Sequence, residues 1–159
     1  MMKKYKVYLS GPIEEVSHDV ASNWRLALEL ELPHDVFECL NPMDWAHYQD
    51  TPENYYDNDV ERLSQADVLA VDLRGAPKKA LLRGTTWEVG FATAKRLPIY
   101  IVFRDETQVK EFSPWLTMAA WDYILESELK GKENVITRLA KELDWDASTR
   151  MWEQGELGE

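Results

Sequence analysis

The residue best suited to chemistry is Glu88, which lies in the stretch Arg83-Gly84-Thr85-Thr86-Trp87-Glu88-Val89-Gly90-Phe91-Ala92. A buried strand is expected over residues 66–73, and a short helix over residues 85–95. This order places Glu88 in the first turn of a helix, beyond the carboxyl end of a parallel strand. Ligands bind at that edge in open α/β sheets. The position therefore favours Glu88 as a reactive carboxylate, beside glycines that let a ligand approach the backbone.

A structural interpretation of the same residues competes with the chemical one. Thr85 and Glu88 have the spacing of a capping box, in which the Thr oxygen accepts from a helix N–H and the Glu reaches back. The positive end of the helix dipole would also keep the carboxylate ionised, as a nucleophile requires. Capping and chemistry are compatible, and both remain open from the local pattern.

Further carboxylates are expected at the same edge of the sheet, namely Asp44, Asp57, Asp59 and Asp72. Two carboxylates in different surroundings can divide into a nucleophile and a proton donor, as in glycoside chemistry. For Asp59 the alternative is a surface acid that pairs with Arg62 three residues later. Asp67 is expected to anchor a turn, because it stands just before the buried strand.

Several other chemistries are disfavoured by what the sequence lacks. It contains no G-x-G-x-x-G after the first strand, no phosphate-binding G-x-x-x-x-G-K-[ST] and no G-x-S-x-G. Cys39 is the sole cysteine, and the histidines (His18, His34 and His47) lack ligand spacing. We therefore expect neither a metal site nor a cofactor.

Composition and charge restrict the partners. The chain has 159 residues, 45% of them hydrophobic and 30% charged, with a net charge of −11 and a pI near 4.7. One domain is expected from the length. The net charge disfavours nucleic acid, and no apolar run suits a membrane span or a signal peptide, so a cytoplasmic protein is expected. Four basic residues lie close together in the sequence: Arg74, Lys78, Lys79 and Arg83. They are either part of a solvated loop or a group that controls the entry of a phosphate or substrate.

Strands and helices alternate along the chain. Strands are expected over residues 4–10, 36–40, 66–73, 99–103 and 121–125, and helices over residues 17–32, 54–65, 85–95, 112–119 and 133–143. Residues 104–111 are expected to be a charged loop. Such alternation with short connections predicts a doubly wound parallel sheet. We expect one domain over residues 1–143 and a loose acidic tail, or a partner contact, over residues 144–159.

Four motifs in order resemble the nucleoside 2-deoxyribosyltransferases: Tyr8-Leu9-Ser10-Gly11-Pro12-Ile13, Asn58-Asp59-Val60, Ala66-Asp67-Val68 and the Gly84 to Ala92 stretch. This superfamily also includes the 2′-deoxynucleoside 5′-phosphate N-hydrolases. The resemblance spans roughly residues 5–125. It implies a flavodoxin-like fold with a five-stranded parallel sheet, and a nucleoside or nucleotide and a free nucleobase as small-molecule partners.

The resemblance also implies roles for particular residues. Glu88 would attack C1′ of a deoxynucleoside, Tyr8 would orient that carboxylate, and Asp59 would supply or position the proton that the leaving base needs. Substrate-binding positions carried over from the motifs and from the expected base pocket are Gly11, Asn41, Met43, Asp44, Asn58, Arg83 and Gly84. Family members are homo-oligomers with shared sites, so Ser113 is expected either to contact the sugar of a neighbouring subunit or simply to cap its own helix.

One departure concerns the 5′ end of the substrate. Six residues before Glu88, transferases usually carry Asp and the phosphate hydrolases Ser, whereas this chain has Leu82. Arg83 would suit a 5′-phosphate, but Glu14 and Glu15 would repel one. A deoxyribosyltransferase acting on nucleosides is the favoured interpretation. The alternatives are a nucleoside monophosphate N-glycosidase and a non-catalytic domain that binds a nucleotide-like ligand.

Overall fold

The computed structural model describes residues 3–45 and 51–153, and these form an α/β structure around one parallel sheet. Its strands are β1 (Tyr5–Ser10), β2 (Phe37–Leu40), β3 (Val68–Asp72), β4 (Ile99–Phe103) and β5 (Asp122–Leu125). They lie in the order β2-β1-β3-β4-β5, and every neighbouring pair is parallel. This order is that of the flavodoxin-like fold, which confirms the predicted fold class.

The described residues contain six α-helices, five between the strands and one after β5: α1 (His18–Glu31), α2 (Pro52–Gln65), α3 (Arg83–Ala94), α4 (Glu106–Glu111), α5 (Pro114–Ala119) and α6 (Val135–Glu153). One-turn 3-10 helices cover Pro42–Asp44 and Glu126–Glu128. Local sequence explains several starts. Ser17 and Thr51 accept backbone N–H groups at the beginnings of α1 and α2, and Pro52 opens α2, where its missing N–H costs nothing.

The sheet separates two apolar cores because successive side chains of a strand point to opposite faces. Tyr5, Val7 and Leu9 of β1 pack with α1 and α6 in one core. Tyr8 packs in the other core, with side chains from α2, α3 and α5. Ser10 lies two positions after Tyr8, so its side chain points to the same face of the sheet. Both hydroxyls therefore lie on the side that carries α2 and α3.

Two expectations about local structure were wrong. Residues 104–111 are mostly helical (α4), because Asp105 caps the helix by accepting the Gln108 N–H at 2.8 Å. The buried Gln108 amide in turn donates to the Leu73 carbonyl at 2.7 Å.

The acidic end of the chain is not a loose tail from residue 144, since α6 continues to Glu153. Its last turns are held because buried Asp146 accepts hydroxyls from Tyr5 and Tyr100, while Ala147 and Met151 are also buried. Residues 46–50, which include His47, and residues 154–159 of the expected tail lie outside the described residues. Among the described helices, none has the length and apolarity that crossing a membrane requires.

Candidate active site

A cavity of about 530 Å³ opens beside the carboxyl ends of the strands, next to α2 and α3. Its wall includes Glu88 and Asp59, together with the loop that follows β1 and the turn that precedes α3. A larger cavity of about 770 Å³ lies on the other face of the sheet, against α1 and α6. The smaller cavity is the candidate site because it contains both carboxylates that suit glycosyl chemistry.

Glu88 is buried, with 7% of its surface exposed, and the Ser10 hydroxyl donates to its Oε1 at 2.8 Å. Burial raises the pKa of Glu88 to about 7, and the nearby charge of Asp59 adds to the rise. Tyr8, Ser10 and Arg25 act in the opposite direction because each stabilises the ionised carboxylate. The group therefore titrates near neutral pH, where it can hold or lose a proton.

The capping interpretation of Thr85 and Glu88 was wrong. Helix α3 begins at Arg83, and its N-cap is Leu82 in the left-handed conformation, with φ 48° and no side-chain cap. Thr85 is already inside the helix and buried, and Glu88 lies in the second turn. Burial, rather than the helix dipole, dominates the pKa of Glu88.

Tyr8 lies between the two carboxylates. Its ring is fully buried, and burial followed by the charges of Glu88 and Asp59 raises the pKa of its hydroxyl. The hydroxyl makes no well-formed hydrogen bond within the described residues. It remains a neutral donor that is close enough to lower the pKa of each carboxyl.

Asp59 is half-buried on α2 and accepts a hydrogen bond from the Trp45 indole Nε1 at 3.1 Å. Burial raises the pKa of Asp59, while the bonds from Trp45 and Tyr8 oppose that rise. The expected surface pair with Arg62 is absent from the described ion pairs, and the Arg62 guanidinium lies over the Trp45 ring instead, 5.5 Å from its centroid. Trp45 was missed by sequence analysis, since nothing in its local pattern distinguishes it from a loop aromatic.

Arg25 is a second residue that sequence analysis missed. Its guanidinium is fully buried and donates to the carbonyls of Leu9 at 3.2 Å, Gly11 at 3.1 Å and Ala21. Burial lowers the pKa of Arg25 to about 10, and the charge of Glu88 opposes that change. A sequence signal existed, because Arg25 falls in the buried stripe of α1 beside Trp24, where an arginine is unusual.

Gly11, Arg83 and Gly84 line the cavity. Gly11 has a φ of +150°, and a Cβ there would lie 2.8 Å from the Asp72 carbonyl oxygen. This position therefore requires glycine. Arg83 and Gly84 are exposed in the first turn of α3.

Other predicted positions do not line the described cavity: Tyr8, Asn41, Met43, Asp44, Asn58 and Ser113. Asn41 is structural, since its side chain accepts the Met43 N–H at 3.0 Å and donates to Glu29 at 3.1 Å. Among residues 41–45, the described part of this loop, Pro42 and Trp45 reach the cavity.

Asn58 and Ser113 make local helix contacts. The Asn58 amide donates to the Asn54 carbonyl at 2.9 Å, and the Ser113 hydroxyl accepts the Trp115 N–H at 3.3 Å at the start of α5. Ser113 thus caps α5.

The expectation that Asp72 joins Glu88 was wrong, because Asp72 has the parity of Val68 and Ala70 and faces the opposite side of the sheet. There it forms an ion pair with Arg74 at 2.8 Å. Asp57 is exposed on α2. Asp67 accepts the Lys6 N–H of β1 at 2.8 Å, so its side chain holds a strand rather than the turn that was expected. Residues 3–45 and 51–153 contain no cluster of three or more His, Cys, Asp or Glu side chains able to hold a metal ion.

The geometry defines an α/β protein equipped for glycosyl chemistry: a buried carboxylate near a second carboxylate at the carboxyl edge of a flavodoxin-like sheet. The family described as nucleoside 2-deoxyribosyltransferase matches residues 7–137. The chain belongs to that family, whose members act on N-glycosidic bonds.

Two solved structures are similar to this chain. One is a 2-deoxyribosyltransferase from the psychrotolerant bacterium Bacillus psychrosaccharolyticus, with 17% identity, a TM-score of 0.58, and coverage of 80% of this chain and 93% of the other. The second is the CMP N-glycosidase BcmB from Clostridium botulinum, with 18% identity, a TM-score of 0.55, and coverage of 88% and 98%. A sequence comparison with curated proteins finds no significant match.

Proposed function

We propose that this protein cleaves the N-glycosidic bond of a 2′-deoxynucleoside and transfers the deoxyribose to another nucleobase, with Glu88 as the nucleophile. The observation that carries the proposal is the buried Glu88 carboxylate, fixed by Ser10 at the wall of a cavity that also contains Asp59. Membership of the family supports the same reaction class.

In the first half of the reaction, ionised Glu88 attacks C1′ of the sugar. Ser10 holds Oε1, so Oε2 is the oxygen that forms the new bond. The bond between C1′ and the base nitrogen breaks, its electron pair stays with the base, and Asp59 delivers a proton to that base. Burial raises the pKa of Asp59, which favours its protonated form relative to that of an exposed aspartate.

In the second half, a ring nitrogen of an incoming base attacks C1′ and returns its proton to Asp59, while the bond from C1′ to Glu88 breaks. The neutral Tyr8 hydroxyl lowers the pKa of both carboxyl groups and so favours their ionised forms. Arg25 lies beneath the site as a buried cation and stabilises Glu88 each time its negative charge is regenerated. If water attacks instead of a base, the result is hydrolysis.

The test is chromatography of a deoxynucleoside incubated with and without a second free base, beside the Glu88→Ala and Glu88→Gln variants. A new deoxynucleoside that forms only with the acceptor base, and with neither variant, supports the proposal. Intact-mass spectrometry of acid-quenched wild-type protein should also show one added deoxyribosyl group. Ligand binding without any turnover would instead indicate a non-catalytic binding domain.

Hydrolysis of a nucleoside 5′-monophosphate is the second candidate function. It is favoured by Arg83, whose exposed guanidinium lies at the cavity and forms no ion pair among the described residues. The similarity to a CMP N-glycosidase supports the same candidate. If free base is released only from monophosphates, and release does not depend on an acceptor base, the protein is this hydrolase rather than a transferase.

The proposal includes an oligomer in which Ser113 reaches the site of a neighbouring subunit. Ser113 lies outside its own cavity, and α5 exposes two large apolar side chains next to it, Trp115 at 76% and Met118 at 73%. Light scattering coupled to size-exclusion chromatography should give at least a dimer, and Trp115→Glu should shift it towards the monomer. A monomer at assay concentration with full activity would contradict this part of the proposal.

A further inference from the structure

The carboxylate of Glu15 bridges the two loops that border the candidate site. Its Oε2 accepts the Leu81 N–H at 2.8 Å, and its Oε1 accepts the Leu82 N–H, also at 2.8 Å. Glu15 belongs to the loop after β1, whereas Leu81 and Leu82 form the turn before α3. All of these residues line the cavity that contains Glu88. Both oxygens of one carboxylate are therefore used on two consecutive backbone donors.

Two consecutive N–H groups that point at one acceptor form an anion-binding arrangement, particularly where one residue adopts the left-handed conformation. Leu82 has φ 48° and ψ 40°, which are left-handed values for a residue other than glycine. The pair also precedes the first turn of α3, where the helix dipole favours negative charge. In this chain the Glu15 carboxylate already accepts from both of these N–H groups.

The remaining charges around the cavity are mostly of the same sign. Its described wall carries the acidic side chains of Glu14, Glu15, Asp59 and Glu88, and one basic side chain, that of Arg83. A phosphate that approached Leu81 and Leu82 would have to displace the Glu15 carboxylate or lie against it. An uncharged hydroxymethyl group would instead meet carboxylate lone pairs that can accept its hydrogen bond.

We infer that Glu15 is a specificity-determining residue that makes this site accept a sugar with a free 5′-hydroxyl and reject the 5′-phosphate. The inference rests on the proposed function, because it assigns the 5′ end of a nucleoside to the end of the cavity formed by Leu81 and Leu82. It adds to that function the residue responsible and the way it acts, which is to occupy the backbone donors that a phosphate would need.

The experiment compares Glu15→Gln with Glu14→Gln. Both variants remove one negative charge from the wall of the same cavity, but only Glu15 holds Leu81 and Leu82. For each protein, kcat/KM is measured with a deoxynucleoside and with its 5′-monophosphate, and the ratio of the two values is compared. Circular dichroism verifies that each variant is folded. The ratio is unaffected by the fraction of folded protein.

We expect wild-type protein to prefer the nucleoside. Glu15→Gln should shift the ratio towards the monophosphate about tenfold, as expected for removing one charge near a dianion in water. Glu14→Gln should shift it less than threefold. The preference of wild-type protein should also weaken as salt is added, because screening reduces the repulsion.

Three results would overturn the inference: a wild-type preference for the monophosphate, equal shifts in the two variants, or an unchanged ratio in Glu15→Gln. In the last case Glu15 would only anchor a loop. If wild-type protein turns over neither substrate, the proposed function fails. The inference is then decided separately by calorimetry, which gives the ratio of the dissociation constants of the nucleoside and the monophosphate for each variant. If neither compound binds, both are overturned.

Discussion

The hydroxyl of Ser10 donates a 2.8 Å hydrogen bond to Oε1 of Glu88 and thereby joins the last residue of β1 to the second turn of α3. The bond is buried, so water does not compete with it. A hydroxyl that donates to a carboxylate stabilises the ionised form, which a nucleophile needs, and it fixes which oxygen remains free. Ser10 is therefore a positioning residue for Glu88.

Replacement of Ser10 by Ala should lower kcat/KM about tenfold, the amount expected for one buried hydrogen bond to a charged group. Because Ser10 lowers the pKa of Glu88, its loss should also move the acid limb of the pH profile to higher pH. Wild-type activity should rise through pH 7, near the pKa of about 7 for Glu88. Ser10→Thr keeps a hydroxyl and should restore part of the activity. An acid limb that stays in place in Ser10→Ala would contradict the role given to Ser10.

Protein stability should depend on pH through Glu88. Its folded pKa of about 7 lies above the ordinary value of 4.5, so stability from the neutral carboxyl is fully present below pH 4.5 and is lost as pH rises through 7. Glu88→Gln cannot ionise and escapes that loss. Its free energy of unfolding relative to wild-type protein should increase between pH 5 and pH 8 by up to about 3 kcal/mol. Urea unfolding at the two pH values measures the difference, and exposed Glu14→Gln provides the control.

Removal of the buried cation at position 25 should affect stability and chemistry together. Arg25→Met leaves the carbonyls of Leu9, Gly11 and Ala21 without their donor, and we expect a loss of about 3 kcal/mol in the free energy of unfolding. The pKa of Glu88 should rise further, since the charge of Arg25 lowers it. Arg25→Lys keeps the charge but cannot bond all the carbonyls, so it should retain the pH profile better than it retains stability. Identical pH profiles for Arg25→Met and wild-type protein would show that the residue is purely structural.

The indole N–H of Trp45 gives a separate test of Asp59. Trp45→Phe keeps an aromatic ring beside Tyr8 but removes the donor to Asp59 Oδ1. Because that bond lowers the pKa of Asp59, its loss should raise the pKa and move the limb of the kcat profile that reports Asp59 to higher pH. The acid limb, which reports Glu88, should stay in place. Movement of the acid limb alone would mean that Asp59 is not the proton donor.

Much of the site follows from the alternation of side chains along strands. Ser10 lies two positions after Tyr8 on β1, so its hydroxyl points to the face of the sheet that Tyr8 also faces. Helix α3, which carries Glu88, packs on that face. The same rule separates Asp72 from Glu88, and applying it to the end of β3 would have corrected that expectation. The doubly wound parallel sheet was predictable because strands and helices alternate along the chain, whereas Glu88 is proposed from its position in a motif.

The remainder depends on contacts between residues distant in sequence. Trp45 meets Asp59 across 14 positions, and Glu15 meets Leu82 across 67. No local pattern encodes such pairs. The start of α3 was misplaced for a different reason, since Leu82 adopts a conformation that leucine rarely takes, held by a carboxylate from another loop.

The two carboxylates of the site stand on different helices, and those helices are attached to the sheet to different degrees. Helix α3, which carries Glu88, buries Thr85, Val89 and Ala92 as well, whereas in α2, which carries Asp59, only Leu63 is buried. Substitutions along α2 should therefore disturb little packing and leave Glu88 in place. Under the proposed function, an engineer who wishes to change which base is exchanged can randomise α2, while the half of the site that carries Glu88 is kept constant.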